Sequence, residues 1–450
     1  MSRTQAATAM MALGAMLALG TGALALYIVR RDSAASSVAQ PAAAARDPHE
    51  VTDQVIAFFQ ARVERDPIDF VSYSKLGEAY IRQARETGDI TAYQRAQTAF
   101  DKALALFPDD RSAQAGRASV HFSLHDFAGA LALARDVSAA DPGATSALAT
   151  IGDADVAIGN YEEARTVYGK LADAAPGASV LSRQSHLDEL GGNIDRAVEL
   201  MKQAEALSAA NPTSTEALAF YRLRLGNLYF NSGRYDDAEH WLGRALDGFP
   251  DYYPALAGLG YVSAARGDYQ QAIGYYERSV AIVPQPVVLA ALGDTYARIG
   301  DDRAAQNQFA TVEFIGKLAE INKVLYNREL ALFYADHKIK TSTAVELATA
   351  ELDRRKDVYG YDTLAWALYR DGRPGDAAPY ARQALALGTR DAKMLFHAGL
   401  IDQANGDGAR AKDELTQALD LNPHFSVLLE QEARNVLAQT DSDASVEGGR

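Results

Sequence analysis

Cysteine is absent from the 450 residues, which excludes disulfides, thiolate metal sites and cysteine nucleophiles. A basic excess is absent as well. Lys and Arg number 44 against 59 Asp and Glu, a formal net charge of −15. General nucleic-acid binding needs the opposite footprint. There is no Walker lysine motif, no Gly-x-Ser-x-Gly elbow and no HExxH. Gly258-Leu259-Gly260 lacks both a preceding strand and the spacing of a dinucleotide loop. His121 and His125 have the four-residue spacing of a metal-binding face, but no glutamate follows His121 and Leu124-His125-Asp126 falls at a turn. The ligand set is incomplete. No catalytic residue, metal, cofactor or small-molecule substrate is therefore expected.

Long uncharged runs are also scarce, and the one at the start stands out. Residues 7–29 form 23 positions without a charge, ending at Arg30-Arg31. That length spans a bilayer as a helix. Ala23-Leu24-Ala25 also fits a signal-peptide cleavage site, so an anchor and a cleaved signal are both open. Behind a short tail (1–6), the segment places the bulk of the chain outside the cytoplasm, periplasmic or extracellular. Residues 30–50 have no apolar periodicity and read as a flexible linker, and 438–450 as a polar, disordered tail.

Between them, over 51–437, the chain repeats itself. Alanines recur at Ala96, Ala130, Ala164, Ala197, Ala238, Ala272, Ala305, Ala344, Ala377 and Ala411, with gaps of 34, 34, 33, 41, 34, 33, 39, 33 and 34. Prolines keep the same beat at Pro108, Pro142, Pro176, Pro212, Pro250, Pro284 and Pro423. Each unit reads as two helices. Leu259-Gly260 and Leu292-Gly293 sit in first helices, where a small residue admits a neighbouring helix. Turns such as Arg266-Gly267-Asp268 and Ile299-Gly300-Asp301 close those helices with a left-handed glycine. The second helix carries the alanine and a bulky residue four positions on, as in Ala272 with Tyr276, placing both on one face. Acidic pairs such as Asp109-Asp110 and Asp301-Asp302 fall where they cap helices. A single pair cannot bury its stripe, whereas stacked pairs make one continuous core.

Leu76-Gly77-Tyr80…Ala96-Phe100-Ala103-Pro108 and Leu225-Gly226-Tyr229…Ala238-Ala245-Pro250 resemble the tetratricopeptide repeat, whose period is 34 residues. The resemblance covers roughly residues 68–423, and it implies an all-α fold: a right-handed superhelical α-solenoid of about ten helix pairs. Residues 178–217 lack the Leu-Gly pair and 313–352 keep few consensus positions, so a local change of pitch is expected at both. Residues 358–428 also resemble the C-terminal part of a bacterial group of such proteins without an assigned activity. The helices around "TDQVIAFFQARVERDP" and "FSVLLEQEARNVLAQ" look amphipathic and suited to capping the open ends.

A solenoid offers a concave face built from successive first helices. Positions turned away from the Leu-Gly contact are Asn227, Phe230 and Asn231, then Tyr261, then Asp294 and Arg298, then Tyr359, Asp362, Trp366, Tyr369 and Arg370. Amides bond an extended backbone and aromatic rings bury side chains, which is what a peptide groove uses. The lysine and asparagine pattern of chaperone-binding clamps in this family is not present. The expected function is a membrane-tethered or exported scaffold for a protein or peptide partner, and the acidic balance favours a neutral or basic one. An assembly or secretion factor holding a client at the membrane is a narrower alternative. An enzyme whose site is scattered along the chain is a further one.

Overall fold

The computed structural model describes residues 48–210, 214–322 and 327–447. The uncharged run at 7–29 lies outside them. No helix among the described residues is long and apolar enough to cross a membrane.

Helix α1 (Pro48–Arg65) precedes ten helix pairs. These are α2 (Phe70–Thr87) with α3 (Ile90–Leu106), α4 (Arg111–Ser123) with α5 (Phe127–Ala140), α6 (Thr145–Ala157) with α7 (Tyr161–Ala174), α8 (Ala178–Leu190) with α9 (Ile194–Ala210), and α10 (Thr215–Asn231) with α11 (Tyr235–Gly248). They continue with α12 (Tyr253–Ala265) and α13 (Tyr269–Ile282), α14 (Pro286–Arg298) and α15 (Asp302–Asn322), α16 (Asn327–Asp336) and α17 (Thr341–Arg354), α18 (Val358–Arg370) and α19 (Pro374–Ala384), and α20 (Ala392–Ala404) and α21 (Gly408–Leu421). Helix α22 (Glu430–Glu447) follows, and it runs past the boundary at 437 drawn from the sequence. Among the described residues there is no strand, and the pairs stack as a right-handed α-solenoid.

All ten ladder alanines are buried, at 0 to 2% exposure, because each sits where two helices come closest. Tyr276 is buried beside Ala272, and its ring fills the space that a side chain at Gly260 would need. The turn after α12 shows the cap: Gly267 adopts φ +83°, with Gly267 N–H bonded to Ala264 O at 3.0 Å and Asp268 N–H to Ser263 O at 2.9 Å. In the second pair His125 takes the glycine slot at φ +62°, and in the eighth Lys338 takes it at +56°. Asp110 caps α4 by accepting from Ser112 N–H and Ala113 N–H, and Asp301 accepts from Ala304 N–H at 2.9 Å.

The stretch without a Leu-Gly pair keeps the architecture by a substitution of means. Ser185 stands in the small-residue slot of α8, 1% exposed, and its hydroxyl donates to the carbonyl of the ladder alanine Ala197 at 2.7 Å. A small side chain with its one polar group satisfied does the steric work of glycine. In the other divergent stretch the pair geometry persists, with α15 lengthened to 21 residues and α16 shortened to 10.

Successive turns of the superhelix touch, and they do so with a fixed offset. The turn inside one pair meets the loop that enters the sixth pair after it. Tyr161, just past the turn of the third pair, accepts from Val358 N–H at the start of the ninth, at 2.9 Å. Leu190 O, in the fourth pair, accepts from Thr389 Oγ1 before the tenth, at 2.6 Å. Phe230 O, in the fifth, accepts from Asn422 Nδ2 before α22, at 2.9 Å. The first pair follows suit, its Gly88 lying against Val283 at the close of the sixth. Three such bonds would be a weak seam alone, but apolar contacts run with them. Leu148, Tyr168 and Leu187 share one cluster with Val358 and Met394.

Candidate partner-binding face

The candidate residues lie on the first helices α10, α12, α14 and α18, and the structure divides them into three groups.

The first group stays available. Asn227 and Asn231 are half-buried on the last turns of α10, and neither amide makes a side-chain hydrogen bond among the described residues. Between them Phe230 faces Tyr261 on the next first helix, ring centres 6.1 Å apart. Burial, then the nearby Asp294 carboxylate, raises the Tyr261 phenol above its ordinary range, so it stays protonated and able to donate. Tyr359 is half-buried with its phenol raised by burial and then by Glu189, a residue of the preceding superhelical turn.

The second group is corrected by its burial. Trp366 is fully buried rather than groove-lining. Its indole N–H donates to Asp336 Oδ1 at 2.7 Å, and its ring stacks on His397 at 4.0 Å. Asp362, 7% exposed, accepts from His397 Nδ1 at 2.9 Å and is likewise a packing residue. The mistake has a local cause. The steps of four and three residues from Asp362 through Trp366 to Tyr369 trace one helix face, and the neighbouring α20 brings Phe396 and His397 over most of it. Asp294 is tied to His337 Nε2 at 2.8 Å. Burial raises the Asp294 carboxyl; at His337 burial is outweighed by the hydrogen bond and charge of Asp294, so its pKa also rises.

The third group is occupied by the chain itself. Arg370, its side chain 5% exposed, donates from both terminal nitrogens to Glu432 of α22, at 2.9 and 2.6 Å. Lys338 Nζ reaches the same carboxylate at 3.2 Å. Burial opposes charge on Glu432, but these cations hold its pKa below the ordinary glutamate range. Arg298 is exposed, bonded through Nε to Tyr269 Oη at 3.2 Å, and feels the charge of Glu430. Upstream of α22, His424 lies 6.4 Å from the Tyr235 ring and Val427 packs in the cluster of Tyr261, Tyr276 and Tyr296. Sequence reasoning treated this segment as an end cap. The signal that marked it as more was the pair Glu430 and Glu432 directly after an apolar run.

Other sequence motifs resolve into structure. His121 pairs with Asp126 through Nδ1 at 2.8 Å, while His125 stacks on Phe127 at 5.6 Å. Among the described residues no group of three or more His, Asp or Glu is placed to hold a metal ion. Arg266 of Arg266-Gly267-Asp268 pairs with Asp236 and Glu239 of the preceding pair.

An array of like helix pairs, each packed on its neighbours and exposing one long face of first helices, defines a repeat scaffold. Residues 73–145 and 223–285 match one tetratricopeptide repeat family model and residues 121–183 match a second. With ten such pairs in sequence, the chain is a tetratricopeptide repeat protein. It is thereby a scaffold for protein interactions. No curated protein matches it. Similar solved structures include a tetratricopeptide repeat protein from Parabacteroides merdae, 17% identical over 58% of this chain and 98% of that one, TM-score 0.34. A thermophilic one from Thermus thermophilus is 22% identical over 45% and 99%, TM-score 0.35. Yeast Tom70 is 13% identical over 84% and 96%, TM-score 0.32. At these TM-scores the likenesses carry no inference about superhelical course or ligand.

Proposed function

We propose that this chain holds an extended segment of a protein partner against the face of its first helices, centred on α10 and α12, while tethered to or exported across a membrane by residues 7–29. The observation that carries the binding part is the pair of unpartnered amides, Asn227 and Asn231, flanking the Phe230 and Tyr261 rings. Half-buried amides without partners are the groups that bond a peptide backbone, and adjacent rings bury its side chains. The support for the membrane part is the 23-residue uncharged run and the basic pair that ends it.

A photo-crosslinker placed at Asn227 or Asn231 in the native host tests the face. The same partner is expected from both positions and not from exposed Gln383 on α19. Equal capture from all three would refute a dedicated face. For the tether, the full chain is expected in membranes after a carbonate wash or in the exported fraction, and a chain lacking residues 1–29 in neither. Cytoplasmic recovery of the intact chain would refute it.

A further inference from the structure

We propose that Arg370, Lys338 and Arg298 form an acceptor for an acidic segment of the partner, and that residues Asn422–Glu432 of this chain occupy that acceptor until the partner arrives. The proposal rests on the groove reading above and adds the partner's chemistry.

The acceptor is built without help from its occupant. The Arg370 guanidinium lies 4.0 Å from the centre of the Trp366 ring, and Trp366 is itself fixed by Asp336 and by the His397 stack. A planar guanidinium laid on an indole keeps its orientation when a carboxylate leaves. Arg370 Nε is buried with no partner at all, so the site already carries one unmet donor. A buried guanidinium left without any anion is strongly unfavourable, because desolvation is no longer offset by a partner. The site therefore calls for a carboxylate, and Glu432 supplies one with two parallel bonds.

The occupant does more than a cap needs. Leu429, 1% exposed, and Ala433, 0%, seal the last pair and would suffice for that. Asn422, His424, Val427, Glu430 and Glu432 instead reach residues of the fifth to ninth pairs. Asn422 bonds Phe230 O and accepts from Tyr235 Oη, Val427 packs against the core cluster of the sixth and seventh pairs that Tyr261 also borders, and Glu432 joins Lys338 to Arg370. An amide, an aliphatic anchor and two carboxylates thus lie along the residues assigned to partner binding. A net charge of −15 favours basic partners at long range, yet at this lip the local charge is positive and takes acid. Short-range geometry decides here, since exposed charges beyond about 10 Å are screened.

The test uses the full chain and, as probe, a fluorescent synthetic peptide of residues 421–438. In wild type the probe binds weakly because the acceptor is filled. Glu432→Lys expels the resident carboxylate, and binding is expected to tighten by about tenfold, the lower range for a charge-assisted pair. Adding Arg370→Ala should erase the gain, and a probe carrying Glu432→Lys should not bind. Glu432→Gln, which keeps size and removes charge, serves if Glu432→Lys lowers the helical signal. Equal binding to wild type and both Glu432 variants, or binding indifferent to Arg370→Ala, would overturn the proposal and leave α22 a fixed cap. Crosslinking from Asn227 and Asn231 does not involve the probe. Its persistence alongside a silent probe would sink only the acceptor, and its loss would sink the groove.

Discussion

Three glycines with the same backbone and different neighbours isolate the contact between superhelical turns. Gly159, Gly267 and Gly300 all close a first helix at φ +83°. A Cβ at Gly159 would lie 2.5 Å from Lys356 O, whereas at Gly267 and Gly300 nothing stands within 4 Å. The six-pair offset explains the difference. Gly159 belongs to the third pair and has a ninth to meet, but the sixth and seventh pairs would need a twelfth and thirteenth. Replacing any of the three by alanine incurs the same left-handed strain, about 1–2 kcal/mol. Gly159→Ala must in addition push the Lys356 carbonyl back by about 0.9 Å to an ordinary van der Waals contact of 3.4 Å. Such forced backbone shifts cost about 1–3 kcal/mol. The adjacent bond from Val358 N–H to Tyr161 Oη, 2.9 Å, is worth about 1 kcal/mol more if it breaks. Gly159→Ala should therefore be about 2 kcal/mol or more less stable than Gly267→Ala and Gly300→Ala in guanidinium unfolding. Hydrogen exchange gives a local readout. The Val358 amide should exchange faster in Gly159→Ala alone, and small-angle scattering should show a longer particle for that variant. Equal stabilities with an unchanged Val358 amide would refute a seam between turns.

Trp366→Ala should destabilise by about 3–5 kcal/mol in chemical unfolding, the range for an emptied aromatic site, because Trp366 is fully buried and its loss also orphans Asp336 Oδ1; a change under 1 kcal/mol would return the residue to the surface. Burial, then the Arg355 and Arg328 charges, lowers the pKa of His125 from 6.5 to about 4. Between those values the unfolded chain takes up a proton the folded chain refuses, so stability should fall as pH drops from about 6.5 to about 4. His125→Gly should remove this component and also relieve the left-handed strain, read as a flatter melting temperature against pH; an unaltered slope would count against it. Ser185→Val should cost about 1–3 kcal/mol by overfilling a slot closed around a hydroxyl, while Ser185→Gly should cost less. A tolerated valine would mean that α8 and α9 are looser than their packing shows.

The pairs, their turns and their alanine contacts were legible because each depends on residues within one period. Ala272 and Tyr276 share a face by helical spacing alone, and a glycine such as Gly267 is favoured where the chain reverses that tightly, although His125 and Lys338 also take that slot. The divergent stretch at Ser185 lacks the Leu-Gly motif, yet a different small residue meets the same steric demand. The candidate face was half legible. Asn227, Asn231 and Tyr261 stayed accessible, as position within the unit implied. Trp366 and Asp362 did not, since their burial comes from His397 and Phe396 one unit later.

Sequence by itself determined that this chain is a stack of paired helices and where each pair begins, because capping, periodicity and small-residue contacts are local. Tertiary structure alone decided that the turn of one pair meets the sixth after it, and that the C-terminal segment returns to Phe230, Tyr235 and Arg370. The reason is accumulation. Each pair is rotated slightly on the last, and only the sum over six pairs settles which residues nearly 200 positions apart come within a hydrogen bond of each other.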